Sequence, residues 1–163
     1  MKFTRNAGII LLVIFNIALD QISKFIVRAK VDPYSETPII GDYFTLHNVE
    51  NKGAFLGMGS ELNDTLRLIL LLILPLAVLG YVMYYIIKNK NLDKASVIGF
   101  SCIVGGGIAN VYDRVMYGSV TDFFHIDLGG VFRTGIFNVA DMSVMLGLGL
   151  LLYSSFKNKK ASN

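Results

Sequence analysis

Apolar residues in this chain run on without the alternation of a half-buried strand or the one-sided stripe of an amphipathic helix. Four such runs, at roughly residues 7–25, 66–87, 95–115 and 136–153, each approach the ~20 helical residues that cross a hydrocarbon core. They are too long for core strands or surface helices, so they predict four membrane spans with both termini on one side. The connection at 26–65 is different in texture. Short strand-like pieces at 38–40 and 43–46, joined at Gly41-Asp42 and followed by Gly53, Gly57 and Gly59, predict a small sheet lying on the membrane. No internal repeat is evident, and the last seven residues read as a polar tail.

Composition agrees with a bilayer environment: 53% of residues are apolar and 17% charged, with a mean hydropathy of +0.55. Charge placement then orients the spans. Lys2 and Arg5 precede the first, Lys88, Lys90 and Lys94 surround the second connection, and Lys157, Lys159 and Lys160 follow the last. Basic residues concentrate on the cytoplasmic side, so N and C termini are expected inside and the connections 26–65 and 116–135 outside. The expected fold class is an all-α membrane protein of four transmembrane helices with a small extracytoplasmic β-rich loop domain, with residues 1–163 forming a single polytopic membrane domain. A cleavable signal peptide is the competing reading of the first run. It is disfavoured because Asn16-Ile17-Ala18 puts a polar residue at a position that must be small, and the later spans need a cytoplasmic start. The net charge of +3 forms no basic stripe, so no nucleic acid is expected as a partner. Cys102 is the only cysteine, which rules out an internal disulfide and a cysteine metal cage.

Ionisable groups inside or bordering hydrocarbon are costly, so each requires a reason. Asp20 and Lys24 are four apart on one helix face, as an ion pair would be. Asn110, Asp113 and Arg114 share a face of the third span; Asn138 and Asp141 open the fourth, where capping and dipole complementarity are the bland explanation. All lie at the outer ends of their spans. Asp122, in the outward connection, precedes Asp141 by a length that lets the chain leave one span and return in the next. Two carboxylates meeting there would share a proton, supplying a general base for water and a general acid for the scissile group. Lys24, Arg114 and the asparagines would orient them, and Asp113 reads as a structural partner. Gly105, Gly106 and Gly107, with Gly147 and Gly149, suit close helix packing rather than a phosphate loop. His47 and His125 lack helical metal-ligand spacing, and aromatics such as Tyr43, Tyr81, Tyr84, Tyr112 and Phe132 suit the membrane interface.

Five segments carry a resemblance to a known family: Asp20-Gln21-Ile22-Ser23-Lys24, Asn51-Lys52-Gly53-Ala54-Phe55-Leu56-Gly57, Gly106-Gly107-Ile108-Ala109-Asn110-Val111-Tyr112-Asp113-Arg114, Val120-Thr121-Asp122-Phe123 and Phe137-Asn138-Val139-Ala140-Asp141. In this order they resemble the bacterial lipoprotein signal peptidases (signal peptidase II), over nearly the whole chain. The resemblance implies four spans in the cytoplasmic (inner) membrane and a site at the extracytoplasmic face. Asp122 and Asp141 would be catalytic, framed by Asp20, Lys24, Asn51, Gly53, Asn110, Asp113, Arg114, Asn138 and Ala140. It implies an aspartyl endopeptidase that cuts lipid-modified (diacylglyceryl) prolipoproteins before the modified cysteine, in contact with membrane lipid, without metal or organic cofactor, and open to globomycin-like inhibitors; nothing in the sequence requires more than a monomer. Ala109, Phe55-Leu56 and Glu50 depart from the usual pattern, and Glu50 is expected to bear on substrate preference.

Two other readings use the same residues. An ion-coupled carrier would also bury carboxylates beside Lys and Arg, but its polar path must reach both faces. A serine-lysine hydrolase would pair Lys24 with Ser119 or Ser143, without a Gly-x-Ser-x-Gly elbow to support it.

Overall fold

The computed structural model describes residues 4–54, 59 and 61–161. Lys2, and Phe55, Leu56 and Gly57 of the second motif, lie outside the described residues. Four helices among them are long and apolar enough to span a membrane. Helix α1 (Arg5–Lys30) begins where the Thr4 hydroxyl accepts the Ala7 N–H and ends on basic residues, Arg28 and Lys30, that suit a helix C-terminus. Helix α2 (Asp64–Lys88) is capped by Asn63 and contains one π-helical turn, Ile69–Ile73, ending two residues before Pro75. Pro75 has no N–H to give the helix and its ring crowds the carbonyl four residues back, and a wider turn at that point absorbs the mismatch. Helix α3 (Lys94–Tyr117) starts at Asp93, whose carboxylate accepts the Ala95 and Ser96 N–H groups. It stops at Gly118, whose φ of 74° turns the chain out of the helix. Helix α4 runs Val139–Ala161.

The helices exceed the apolar runs at most ends because their polar flanking turns are helical too. The exception is the start of α4, three residues later than the apolar run. Ile136 and Phe137 are not helical there, and Phe137 forms a β-bridge with Phe124, exchanging backbone hydrogen bonds with it.

Helix α3 is the centre of the bundle, packed by α1, α2 and α4, with half of its apolar stretch buried. Between lipid-facing helices there is no hydrophobic drive, so contact depends on close fit, and small residues supply it. A Cβ on Gly106 would overlap the carbonyl oxygen of Ala140, one on Gly105 would lie 2.7 Å from Asn16 Cβ, and one on Gly107 would meet Leu79 at 2.6 Å. Gly147 faces Gly99 in the same way. Gly149, expected to pack likewise, has nothing within 4 Å of a Cβ position and plays no such part.

Above the bundle sits an antiparallel sheet in the order β1-β2-β3. Strand β1 (Glu36–Ile40) is the exposed edge, where Pro38 sits beside a register shift, the place a sheet tolerates a residue without N–H. Strand β2 (Phe44–Asn51) is central and β3 (Val120–Ile126) pairs with it, Val49 opposite Asp122 and Asn51 opposite Val120. The sequence places β1 and β2 near their observed positions but leaves residues 118–124 as loop. Val120 to Phe123 are buried on both faces, which removes the polar-apolar alternation that would mark a strand.

Candidate active site

Four elements meet where α3 ends, α4 begins, and β2 and β3 cross above α1. Asn138 is the residue before α4, and its side-chain oxygen accepts the N–H of Asp141, while the Asn138 N–H donates to Asp141 Oδ2 at 3.1 Å. This reciprocal cap satisfies two otherwise unpaired helix-end donors and pins the Asp141 carboxylate. The Asn138 amide then points the other way, donating to Asp122 Oδ1 at 2.6 Å. One asparagine thus joins the capping of a helix to the carboxylate of a strand.

The remaining oxygens are also held. Asn51 Nδ2 donates to Asp122 Oδ2 at 2.9 Å, and Asn110 Nδ2 donates to Asp141 Oδ1 at 3.0 Å. Asp122 and Asp141 line one small polar cavity of about 60 Å³, together with Asn51, Ala54, Asn110 and Arg114. That is room for at least one water, which needs roughly 15 Å³. Arg114 reaches over it from α3, donating to the carbonyls of Gly53 at 2.8 Å and Asn110 at 3.3 Å, with its Nε buried and unpaired among the described residues. Gly53 in turn donates its N–H to Asn51 Oδ1, so β2's exit turn is tied to the cavity. Burial pushes the Asp122 carboxyl up to about 7; the Asp141 charge adds to this, while the hydrogen bonds from Asn51 and Asn138 oppose it.

Beneath the cavity lies a second, fully buried layer. The Lys24 ammonium contacts Asp20 at 2.7 Å, Asp113 at 3.0 Å and Asn110 Oδ1 at 2.8 Å, one acceptor for each of its three N–H bonds. Asp20 Oδ1 accepts the backbone N–H of Ala140 at 2.8 Å, which locks α1 to the first turn of α4. Lys24, Asp20 and Asp113 are all 0% exposed, where an ion pair is sustained only if every remaining lone pair and proton is engaged. All the site residues expected from sequence therefore gather within these two layers. Asp122, Asp141, Asn51, Asn110 and Arg114 face the cavity; Gly53 and Asn138 fix its walls; Asp20, Lys24, Asp113 and Ala140 support it from below.

Other participants were not anticipated. Arg28 continues the Asp20, Lys24 series at the next i+4 position, pairing with Asp113 at 3.1 Å and donating to Thr121 Oγ1 at 2.7 Å, its guanidinium 4.0 Å over the Tyr117 ring. That spacing was the signal that could have found it. Gln21 donates to Asp113 at 3.0 Å and to the Ala109 carbonyl. Glu50, expected to bear on substrate preference, accepts from Ser119 at 2.5 Å and Thr121 at 2.7 Å and is not among the residues lining the cavity. These contacts also dispose of the serine-lysine pairing: Ser119 is bonded to Glu50, Ser143 to Asn16 and to the Cys102 carbonyl, and neither to Lys24. The two histidines stack edge-on across β2 and β3, with centroids 5.7 Å apart.

Residues 11–157 match the signal peptidase (SPase) II family. The chain belongs to that family. It is 33% identical to the lipoprotein signal peptidase of Maridesulfovibrio salexigens over 94% of its own length and 96% of the relative's, and 34% identical to that of Clostridium novyi over 87% and 93%. A solved bacterial membrane enzyme superposes with a TM-score of 0.82 at 24% identity, covering 96% of this chain, and a second with 0.79 at 25%. The protein is thus a multi-pass membrane peptidase of the signal peptidase II family, whose members remove signal peptides from prolipoproteins. Its mostly helical, four-span fold with a three-stranded sheet agrees with the expectation from sequence.

Proposed function

We propose that this signal peptidase II acts as an aspartic endopeptidase on diacylglyceryl-modified prolipoproteins, cutting before the lipidated cysteine with Asp122 and Asp141 as the catalytic pair. The observation that carries this reading is that the two carboxylates, from β3 and α4, open onto one water-sized polar cavity. In the pair, one carboxyl is protonated and one ionised. The ionised member takes a proton from water as the water oxygen bonds to the scissile carbonyl carbon, and the protonated member gives its proton to the carbonyl oxygen. The tetrahedral intermediate collapses when its C–N bond breaks, the proton taken from water passes to the leaving nitrogen, and one hydroxyl of the intermediate returns its proton to the other carboxylate as the C=O bond re-forms. Asn51, Asn110 and Asn138 hold both carboxylates in place, and the free Arg114 Nε–H is a donor for a substrate carbonyl.

An apolar cavity of about 350 Å³, lined by Phe132, Phe137, Met142 and Met145, abuts Asp141. Its chemistry suits the acyl chains of a modified cysteine held beside the cleavage point. The site faces the extracytoplasmic side of the cytoplasmic membrane, with both termini inside, because the segments at the opposite end of the bundle are basic with Asp93 as their one carboxylate, whereas basic and acidic residues are mixed at the site end. The same cleft would take globomycin-like inhibitors, and the chain works as a monomer.

The test is cleavage of a diacylglyceryl prolipoprotein by purified protein in detergent, with Asp122→Asn and Asp141→Asn checked for folding by their melting temperatures. Each substitution is expected to lower kcat by at least about 10³-fold, the scale of lost acid-base catalysis. Retained cleavage in either folded variant would overturn the pair.

A further inference from the structure

The end of the bundle remote from the aspartates holds another cavity, of about 440 Å³, between the first turns of α1, the α2–α3 connection and the first turns of α3. Its mouth is cationic, formed by Arg5, Lys90 and Lys94, and its walls are apolar, formed by Ile9, Leu12, Val97 and Ile98. From Arg5 to Leu12, as from Lys94 to Ser101, the cleft runs two helical turns, about 10 Å, into the hydrocarbon. Whatever fills it must be anionic at one end and apolar at the other.

Two details have no account within the protein's own packing. The Arg5 Nη2 donates to the Asn89 carbonyl at 2.9 Å, but its Nη1 is buried with no hydrogen-bond partner among the described residues. A buried donor of this kind calls for an acceptor. Gly8, on the cavity wall inside α1, is a poorer helix former than alanine, yet a Cβ there would meet nothing within 4 Å, so no protein neighbour demands the glycine. The space it leaves belongs to the cleft. The neighbouring carboxylate offsets the mouth only in part: Asp93 is held by the Ala95 and Ser96 N–H groups and the Ser96 and Ser154 hydroxyls, and its single charge leaves three cations net positive. Among the described residues none of the three cations forms an ion pair.

We propose that this cleft is a binding site for an anionic phospholipid, its phosphate held between Arg5, Lys90 and Lys94 and one acyl chain laid along Leu12, Val97 and Ile98. Basic pockets between membrane helices recognise anionic headgroups in this way, and the depth of the apolar walls separates a lipid from a free anion. The proposal is independent of the peptidase chemistry.

The test is native mass spectrometry of the full-length protein in detergent, titrated with phosphatidylglycerol or phosphatidylcholine, and thermal melting with each lipid or with inorganic phosphate. Phosphatidylglycerol is expected to be retained at an at least about tenfold lower concentration than phosphatidylcholine, and to raise the melting temperature. The combined Arg5→Gln, Lys90→Gln, Lys94→Gln variant is expected to lose that preference. Gly8→Leu, which fills the cleft and leaves the cations, is expected to lose the bound lipid while melting like the wild type. Equal retention of the two lipids, a preference that survives in the triple variant, or lipid retained by Gly8→Leu would each overturn the site. Stabilisation by inorganic phosphate equal to that by phosphatidylglycerol would replace it with a free-anion site.

Discussion

A pair of carboxylates can move a proton between water and substrate only while one of them keeps it, and the surroundings of Asp122 bear directly on the pH range in which that holds. Its carboxyl is pushed up to about 7 by burial and by the Asp141 charge, against the hydrogen bonds from Asn51 and Asn138. A raised value means the proton is held below about 7 and lost above it, so cleavage is expected to decline as pH rises through that point. Asn51→Ala removes a bond that favours the charged form and leaves the desolvation in place. The alkaline limb should then move to higher pH by about one unit, taking roughly 1.5 kcal/mol for a hydrogen bond to a charged group and ~1.4 kcal/mol per unit. A pH-rate profile of wild type and variant checks this, and a limb that stays put or moves to lower pH contradicts it.

At the level of elements, the start of α4 sets the geometry of both aspartates, since Asn138 caps the helix, binds Asp141 and reaches Asp122. What holds that helix end against α3 is the contact of Gly106 with the Ala140 backbone, which leaves no room for a methyl group. Gly106→Ala is expected to push α4 outward, to destabilise by about 1–3 kcal/mol as overpacking does, and to cost cleavage about 10²-fold through misplacement of Asp141. Gly149→Ala, with open space at the same chemical change, should leave both unaltered. Melting temperature and kcat measured together decide the matter, because a loss of cleavage equal in the two variants would not come from this contact.

The molecule as a whole is polarised along the membrane normal, with nearly all its carboxylates at the end that holds the site and Lys88, Lys90, Lys94, Lys157 and Lys159 at the other. The orientation proposed from that charge asymmetry can be measured directly. Cys102 is buried and is the chain's only cysteine, so a Cys102→Ala background accepts single reporters at exposed positions. Asp42→Cys is expected to react with an impermeant maleimide in intact cells from which the outer barrier has been removed. Asn91→Cys should react only after the inner membrane is permeabilised. The reverse pattern would invert the proposed topology.

Much of this protein was determined along the chain. The four spans were legible because crossing hydrocarbon takes a fixed length of apolar helix, a requirement each segment meets by itself. The Asp20, Lys24 pair was legible because helical spacing fixes its geometry locally, and the five motifs carried the family. Tertiary structure decided the rest. Strand β3 escaped notice because burial on both faces erased its alternation, and Glu50 accepts from Thr121 because the β2–β3 register puts the two opposite each other. Gly106 proved to be a contact point and Gly149 did not, since only the approach of a neighbouring backbone distinguishes one helical glycine from another. Above all, that a strand aspartate and a helix-cap aspartate face one cavity depends on how α3, α4 and the sheet pack together. Long-range packing of that kind leaves no period or spacing in the sequence.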